Sequence, residues 1–213
     1  MSVESQRETR TIVALGDSTT AGTPAFKSPV EAPPDGEGDV TSQFSWWLTR
    51  AETAWRVLNR GVNGERTDQI AARFDRDVLA HAPDALVLLA GVNDVYQGRD
   101  RAVVQAQLLA MYTRARDARI PVVACSIIPY DTATPAQNAA MHAINAWIRE
   151  TASATAAMAY CDTRTAAARP DDVDKLFETP DQLHPTPAGY RRMADALLPV
   201  LRQVLAALAT GRP

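Results

Sequence analysis

Thr11-Ile12-Val13-Ala14-Leu15-Gly16-Asp17-Ser18-Thr19, followed by Thr20-Ala21-Gly22-Thr23, is the stretch that decides the fold. Ile12 to Leu15 carry no polar side chain. A run apolar on both strand faces suits the centre of a parallel sheet. It ends in small and polar residues, the pattern of a sharp turn with a hydroxyl at its tip. Taken alone, Ser18 reads as a helix N-cap.

Working outward, the same rhythm repeats. Trp55–Leu58 and Ala85–Ala90 read as the second and third strands. Pro121–Ile128 and Ala156–Cys161 read as the fourth and fifth. Helical spacing covers the intervals. Ser42 is placed to cap a helix to about Thr53. Thr67 is placed to cap one whose inner face is Ile70, Ala71, Phe74, Val78 and Leu79. Further helices run over about Arg101–Ala118 and from Pro135 to about Thr151. The last begins at Pro187, behind Thr186. Alternation of strand and helix predicts an α/β fold: a three-layer αβα sandwich around a five-stranded parallel sheet, flavodoxin-like. All 213 residues are expected to form a single domain. Two segments are irregular. Pro24–Val40, rich in proline, glycine and acids, reads as an inserted surface loop, either a mobile insertion or a cover over the crevice. Asp162–Pro180 carries Asp171, Asp172 and Asp174, which read as a solvated acidic loop.

Composition narrows the function. Net charge is −3, which points to neither nucleic acid nor an anionic membrane as partner. Met1–Arg10 is polar, without the apolar stretch of a signal peptide, and no run reaches the roughly 20 apolar residues of a membrane span. Cys125 and Cys161 sit in strand-like apolar segments and read as buried free thiols. The expectation is a cytoplasmic protein that needs no cofactor and no metal. No pattern specifies an oligomeric state.

Right-handed crossovers put every strand's C-terminal end on one edge of the sheet, where ligands bind in such folds. Ser18 follows the first strand, Gly61–Gly64 the second and Asn93 the third. Asp181 and His184 precede the last helix. A serine hydroxyl needs a general base to become a nucleophile. His184 can be that base. Asp181, three residues earlier, can hold its imidazole. Pro185 disfavours helical backbone at His184, which presents the ring outward. An acyl-transfer oxyanion needs preorganised donors. The Ser18 N–H, a glycine N–H from the second turn and the Asn93 amide can supply three. His81 and His142 lie on helices and are poorer candidates. Asp94 reads either as a partner of a nearby arginine or as a structural group of the site. Asp162, after the fifth strand, is a reserve acid.

On these residues the chain resembles the SGNH hydrolases, the GDSL-type esterases and lipases. The matching blocks are Gly16-Asp17-Ser18, Asn59 to Gly64, Gly91-x-Asn93-Asp94 and Asp181-x-x-His184-Pro185. The resemblance implies Ser18 as nucleophile, His184 as base and Asp181 as orienting acid. The implied oxyanion donors are Ser18 N–H, Gly64 N–H and Asn93 Nδ2, with Gly61 shaping the turn. It implies hydrolysis of a small-molecule acyl ester through an acyl-enzyme, as in carboxylesterases, lysophospholipases or acetylesterases. Tyr130 and Leu183 are candidate pocket residues. Two other classes fit less of the pattern. A non-catalytic flavodoxin-like module binding a phosphate or nucleotide would call for a glycine-rich, lysine-bearing phosphate loop, and no loop here has that pattern. A metal-dependent hydrolase would call for ligand-spaced histidines or cysteines, and the three histidines here are scattered.

Overall fold

The computed structural model describes residues 9–209. Most of the polar stretch Met1–Arg10 therefore lies outside the described residues. The chain begins with β1 (Arg10–Gly16) and a single-turn helix α1 (Ser18–Ala21). The proline-rich segment follows and contains β2 (Phe26–Lys27) and β3 (Glu37–Gly38), paired antiparallel. Next come α2 (Phe44–Ala51), β4 (Trp55–Gly61), α3 (Thr67–Ala72) and α4 (Phe74–Asp77). Then β5 (Ala85–Leu89), α5 (Val92–Tyr96), α6 (Arg101–Asp117) and β6 (Val122–Cys125) follow. The order closes with α7 (Pro135–Ala154), β7 (Met158–Cys161), α8 (Thr163–Ala167) and α9 (Pro187–Ala209).

The five main strands are all parallel, in the order β4-β1-β5-β6-β7. That is the flavodoxin-like order, whose switch point lies between β1 and β5. The register aligns Gly16 with Gly61 on one side and Leu89 on the other. Three strand ends therefore finish level, and the segments that leave them share one edge.

Two-residue alternation splits the sheet between two cores. Val13, Leu15, Leu86, Leu88, Val122 and Ala124 pack with Ile70 and Phe74, with Leu108 and Met111 of α6, and with Ile144 and Ile148 of α7. Ile12, Ala14, Val87, Leu89 and Val123 pack on the other face with Phe44 and Leu48 of α2, and with Tyr190, Leu197 and Leu201 of α9. This is the three-layer sandwich that the doubly apolar strands predicted. Cys125 and Cys161 stand opposite one another in β6 and β7 as buried free thiols.

Several local expectations are corrected. Ser42 does not cap α2. It ends a 3₁₀ turn capped by Asp39, and Gln43 precedes the helix without a side-chain cap. Thr67 does not cap α3 either, because its hydroxyl donates to Asp94 at 2.9 Å. The helix expected through Leu79 breaks at Arg73, whose guanidinium turns inward. The fourth strand stops at Cys125 because the Asn145 side chain takes both the N–H and the carbonyl of Ile127. Asp162–Pro180 is not wholly irregular. Asp162 caps α8, and Asp174 is ion-paired with the buried Arg164 and bonded to His142. His81, expected to be favoured as a cation at a helix end, accepts from Arg60 at 2.9 Å. Burial and the neighbouring Arg60 and Arg56 charges, only partly countered by Asp77, lower its pKa.

Candidate active site

The Ser18 turn is built by exclusion. A Cβ on Gly16 would stand 2.2 Å from both Leu89 O and Thr20 Oγ1, so only glycine lets the strand enter so tight a turn. Asp17 then caps α1 by accepting the Thr19 N–H at 3.0 Å. Gly22, at φ +109°, ends the turn, and its N–H returns to Ser18 O at 2.9 Å. Ser18 is left buried at the first position of the helix.

Across the chain, 166 residues away in sequence, His184 meets it. Nε2 lies 3.0 Å from Ser18 Oγ, and Nδ1 lies 2.7 Å from Asp181 Oδ2. The other carboxylate oxygen, Oδ1, accepts the main-chain N–H groups of Leu183 at 2.9 Å and His184 at 2.8 Å. Gln182 adopts φ +66°, which curls the loop around the carboxylate. Burial pushes the Asp181 carboxyl up, but these three hydrogen bonds and the imidazole more than offset it. The group sits below its ordinary value and stays ionised at neutral pH. The reserve acid Asp162 is engaged elsewhere, with Ser126, Thr165 and Arg149.

The second and third turns close on the same place. A Cβ on Gly61 would stand 2.1 Å from Ala21 N, so Gly61 is the contact where β4 passes under α1. Gly64 is different. It has φ +78° and open space where a Cβ would be. Buried Asn59 ties the turn to α1 by donating to Ala21 O at 3.0 Å and accepting the Gly61 N–H at 3.0 Å. Asn93 donates Nδ2 to Glu65 O at 2.9 Å, which leaves its second amide hydrogen unspent. Among the described residues, the N–H groups of Ser18 and Gly64 donate to no protein acceptor.

A cavity of about 170 Å³ opens here, lined by Ser18, Asn63, Val92, Asn93, Tyr96, Tyr130, Leu183 and His184, with Thr19 beside the serine. It gathers both expected pocket residues, Tyr130 and Leu183, and adds Val92 and Tyr96. Gly64 itself is not in the lining, although its neighbour Asn63 is. The Pro24–Val40 segment does not cover this cavity. Pro29, Val30, Pro33, Pro34 and Asp35 instead line a separate groove along β4 with Trp46 and Arg56. The segment is tied to the second turn by two hydrogen bonds. Ser28 Oγ donates to Gly61 O at 2.6 Å, and Glu31 Oε1 accepts the Asn63 N–H at 3.0 Å.

Three groups support these turns: Asp94, for which a structural role was one of two expectations, and Asp17 and Arg73, whose roles escaped sequence reading. Buried Asp94 accepts from both the main-chain N–H and the hydroxyl of Thr67, which joins the Asn93 turn to α3. It is a structural group rather than an arginine's side-chain partner. Burial pushes its carboxyl up, partly countered by those Thr67 bonds. Asp17 is pushed up to about 7 by burial, with the Thr19 bond pulling the other way. Arg73 is almost wholly buried beside both turns. Its sequence signal was a charge on an apolar helical stripe between Ile70 and Phe74, with Asp77 one turn on. Among the described residues, no three His, Cys, Asp or Glu side chains cluster as metal ligands, and no helix is long and apolar enough to cross a membrane.

Fold and site together define a flavodoxin-like α/β protein with a serine, a histidine and an aspartate hydrogen-bonded in series at the sheet's switch point. The model of the GDSL-like lipase/acylhydrolase family matches residues 14–192, and the chain belongs to that family. It is 30% identical over 78 residues to an acetylxylan esterase of Geobacillus stearothermophilus, a match spanning 32% of this chain and 36% of that enzyme's length. A member of the lipolytic protein G-D-S-L family from Veillonella parvula shares the fold with TM-score 0.74 at 19% identity, over 91% of this chain and 98% of that one. A catalytic mutant of an acetylxylan esterase from Geobacillus stearothermophilus does so with TM-score 0.70 at 21% identity, over 92% and 94% of the two chains.

Proposed function

We propose that this protein is a serine esterase that hydrolyses small acyl esters, acetyl esters foremost, through an acyl-enzyme on Ser18, as one catalytic domain without a cofactor. The observation that carries the reading is the continuous relay from Asp181 Oδ2 through His184 to Ser18 Oγ, at 2.7 and 3.0 Å. His184 Nε2 takes the Ser18 proton as Oγ attacks the ester carbonyl. Asp181 keeps Nδ1 protonated and stabilises the imidazolium. The tetrahedral oxyanion is received by Ser18 N–H, Gly64 N–H and the free hydrogen of Asn93 Nδ2. The imidazolium then protonates the leaving alcohol. Water, deprotonated by the same nitrogen, releases the acid and restores Ser18.

The cavity of about 170 Å³, walled by Tyr96, Tyr130 and Leu183, favours a short acyl group over a fatty chain. The acetylxylan esterase among the relatives supports the same choice. Ser18→Ala, together with mass analysis after a fluorophosphonate probe, tests the reading. The wild-type protein should gain one adduct on Ser18, and the variant should gain none and lose nearly all turnover. A Ser18→Ala protein that hydrolyses 4-nitrophenyl acetate at the wild-type rate would end this reading.

A further inference from the structure

Arg73 makes more contacts than a structural ion pair requires. It stands at the break between α3 and α4, and its guanidinium reaches the ends of two strands. Nη2 donates to Gly16 O at 2.7 Å, and Nη1 donates to Arg60 O at 2.8 Å. Nη1 also meets Asp77 Oδ2 at 2.7 Å, and Nε meets Glu65 Oε2 at 2.6 Å. Three of these four acceptors, all but Asp77, lie on segments that lead to or follow a proposed oxyanion donor. Gly16 lies two residues before Ser18. Arg60 opens the turn that leads to Gly64. Glu65 follows Gly64, and its carbonyl holds Asn93 Nδ2 at 2.9 Å.

We propose that Arg73 is the positioning residue that locks the three oxyanion donors into one frame. The claim rests on the acyl-enzyme reading above. The three donors come from segments far apart in sequence: the turn after β1, the turn after β4, and α5 after β5. Their register ends level, but parallel strands alone do not fix the loops beyond them. A planar guanidinium has five donors in a rigid fork and is weakly hydrated, so it can bind several acceptors while buried. Lysine at this position keeps the charge but concentrates its donors at one point and cannot span Gly16, Arg60, Asp77 and Glu65 together. Were Arg73 only the partner of Asp77 one turn on, the two strand-end carbonyls and Glu65 would have no part in the arrangement. Misplacement of reacting groups by about 1 Å can cost about 10²-fold in rate. A slack frame should therefore appear in turnover rather than in substrate binding.

Arg73→Lys, assayed on 4-nitrophenyl acetate with phenylboronic acid as inhibitor, tests this. The boronic acid adds to Ser18 and sets a tetrahedral boronate oxygen where the oxyanion forms. We expect kcat of the folded protein to fall by about 10²-fold, KM to stay within about threefold, and boronate affinity to fall in parallel with kcat. The downfield proton of the His184–Asp181 bond should stay in place, because no hydrogen bond joins Arg73 to that segment. A purely structural Arg73 would lower the unfolding midpoint and leave kcat and boronate affinity at wild-type values. That result overturns the proposal, as does a loss confined to KM. Should Arg73→Lys not fold, Glu65→Ala decides. It removes one leg of the frame but keeps the Asp77 pair and the Glu65 carbonyl. About a tenfold fall in kcat with the same boronate signature supports the proposal, and unchanged values refute it. Active Ser18→Ala protein would defeat the acyl-enzyme reading. An inactive Ser18→Ala beside a fully active Arg73→Lys defeats only the positioning role.

Discussion

Asn93→Ala separates two contributions of one amide, a hydrogen bond in the structure and a proposed one to the oxyanion. One hydrogen of Nδ2 is spent on Glu65 O at 2.9 Å. Losing a partly exposed hydrogen bond of this kind costs about 0.5–1.5 kcal/mol. For a protein of 213 residues, that lowers the thermal midpoint by about 1–6 °C. The other hydrogen is aimed, on our reading, at the oxyanion. Removal of one such donor costs about 10²–10³ in kcat, or about 2.7–4 kcal/mol. The catalytic effect should therefore exceed the structural one severalfold. Steady-state hydrolysis of 4-nitrophenyl acetate, run well below the shifted midpoint, reads kcat and KM separately. We expect the loss in kcat, with KM within about threefold of wild type. Asn93→Asp, which cannot donate and opposes the developing charge, should be slower still. A kcat within threefold of wild type for Asn93→Ala, or a loss wholly in KM, would refute the assignment of Asn93 as an oxyanion donor.

Three further tests address the surroundings of the site. Gly61→Ala drives a Cβ to 2.1 Å from the Ala21 main chain, whereas Gly64→Ala meets open space and suffers only its φ of +78°. Unfolding in urea should show a loss of about 3 kcal/mol or more for the first and about 1–2 for the second; equal losses would contradict the packing. Asp17, pushed up to about 7 by burial, favours the folded state most strongly below its unfolded pKa of 3.8, and this stabilisation is lost as pH rises toward 7. Between pH 5 and pH 8 the wild type should lose about 2–3 kcal/mol more than Asp17→Asn, which keeps a capping oxygen. Identical pH profiles by urea titration would show that Asp17 does not titrate there. Leu183→Ala widens the acyl wall but retains the N–H that holds Asp181. The ratio of kcat/KM for 4-nitrophenyl butanoate over acetate should rise by about tenfold or more; an unchanged ratio would place the acyl group elsewhere.

Much of this molecule was legible because its strands are apolar on both faces. Thr11–Leu15 and Ala85–Ala90 can only be buried between two helical layers, and alternation with helices then forces a parallel sheet. The handedness of the crossovers puts Ser18, Gly64 and Asn93 on one edge without any coordinates. The Asp181-x-x-His184-Pro185 spacing carries its own local geometry, so the contact of that pair could be read from a single short segment. Helix caps read less well. Ser42 and Thr67 carry capping hydroxyls, yet the tertiary environment drew Thr67 to Asp94 and left Gln43 and Arg66 at the cap positions.

What the sequence determined by itself was therefore the layered sheet, the set of polar groups at its edge and the chemistry they suggest. These depend on periodicity and on contacts within a few residues. Only the tertiary structure decided three other things. The proline-rich segment braces the Gly61–Asn63 turn through Ser28 and Glu31 and does not line the cavity at Ser18. The cavity beside Ser18 is small because Tyr96, Tyr130 and Leu183 converge from three segments far apart in the chain. Arg73 interrupts its helix to bind Gly16, Arg60 and Glu65. Each of these rests on which atoms meet after distant segments pack, and residue spacing along the chain holds no record of that.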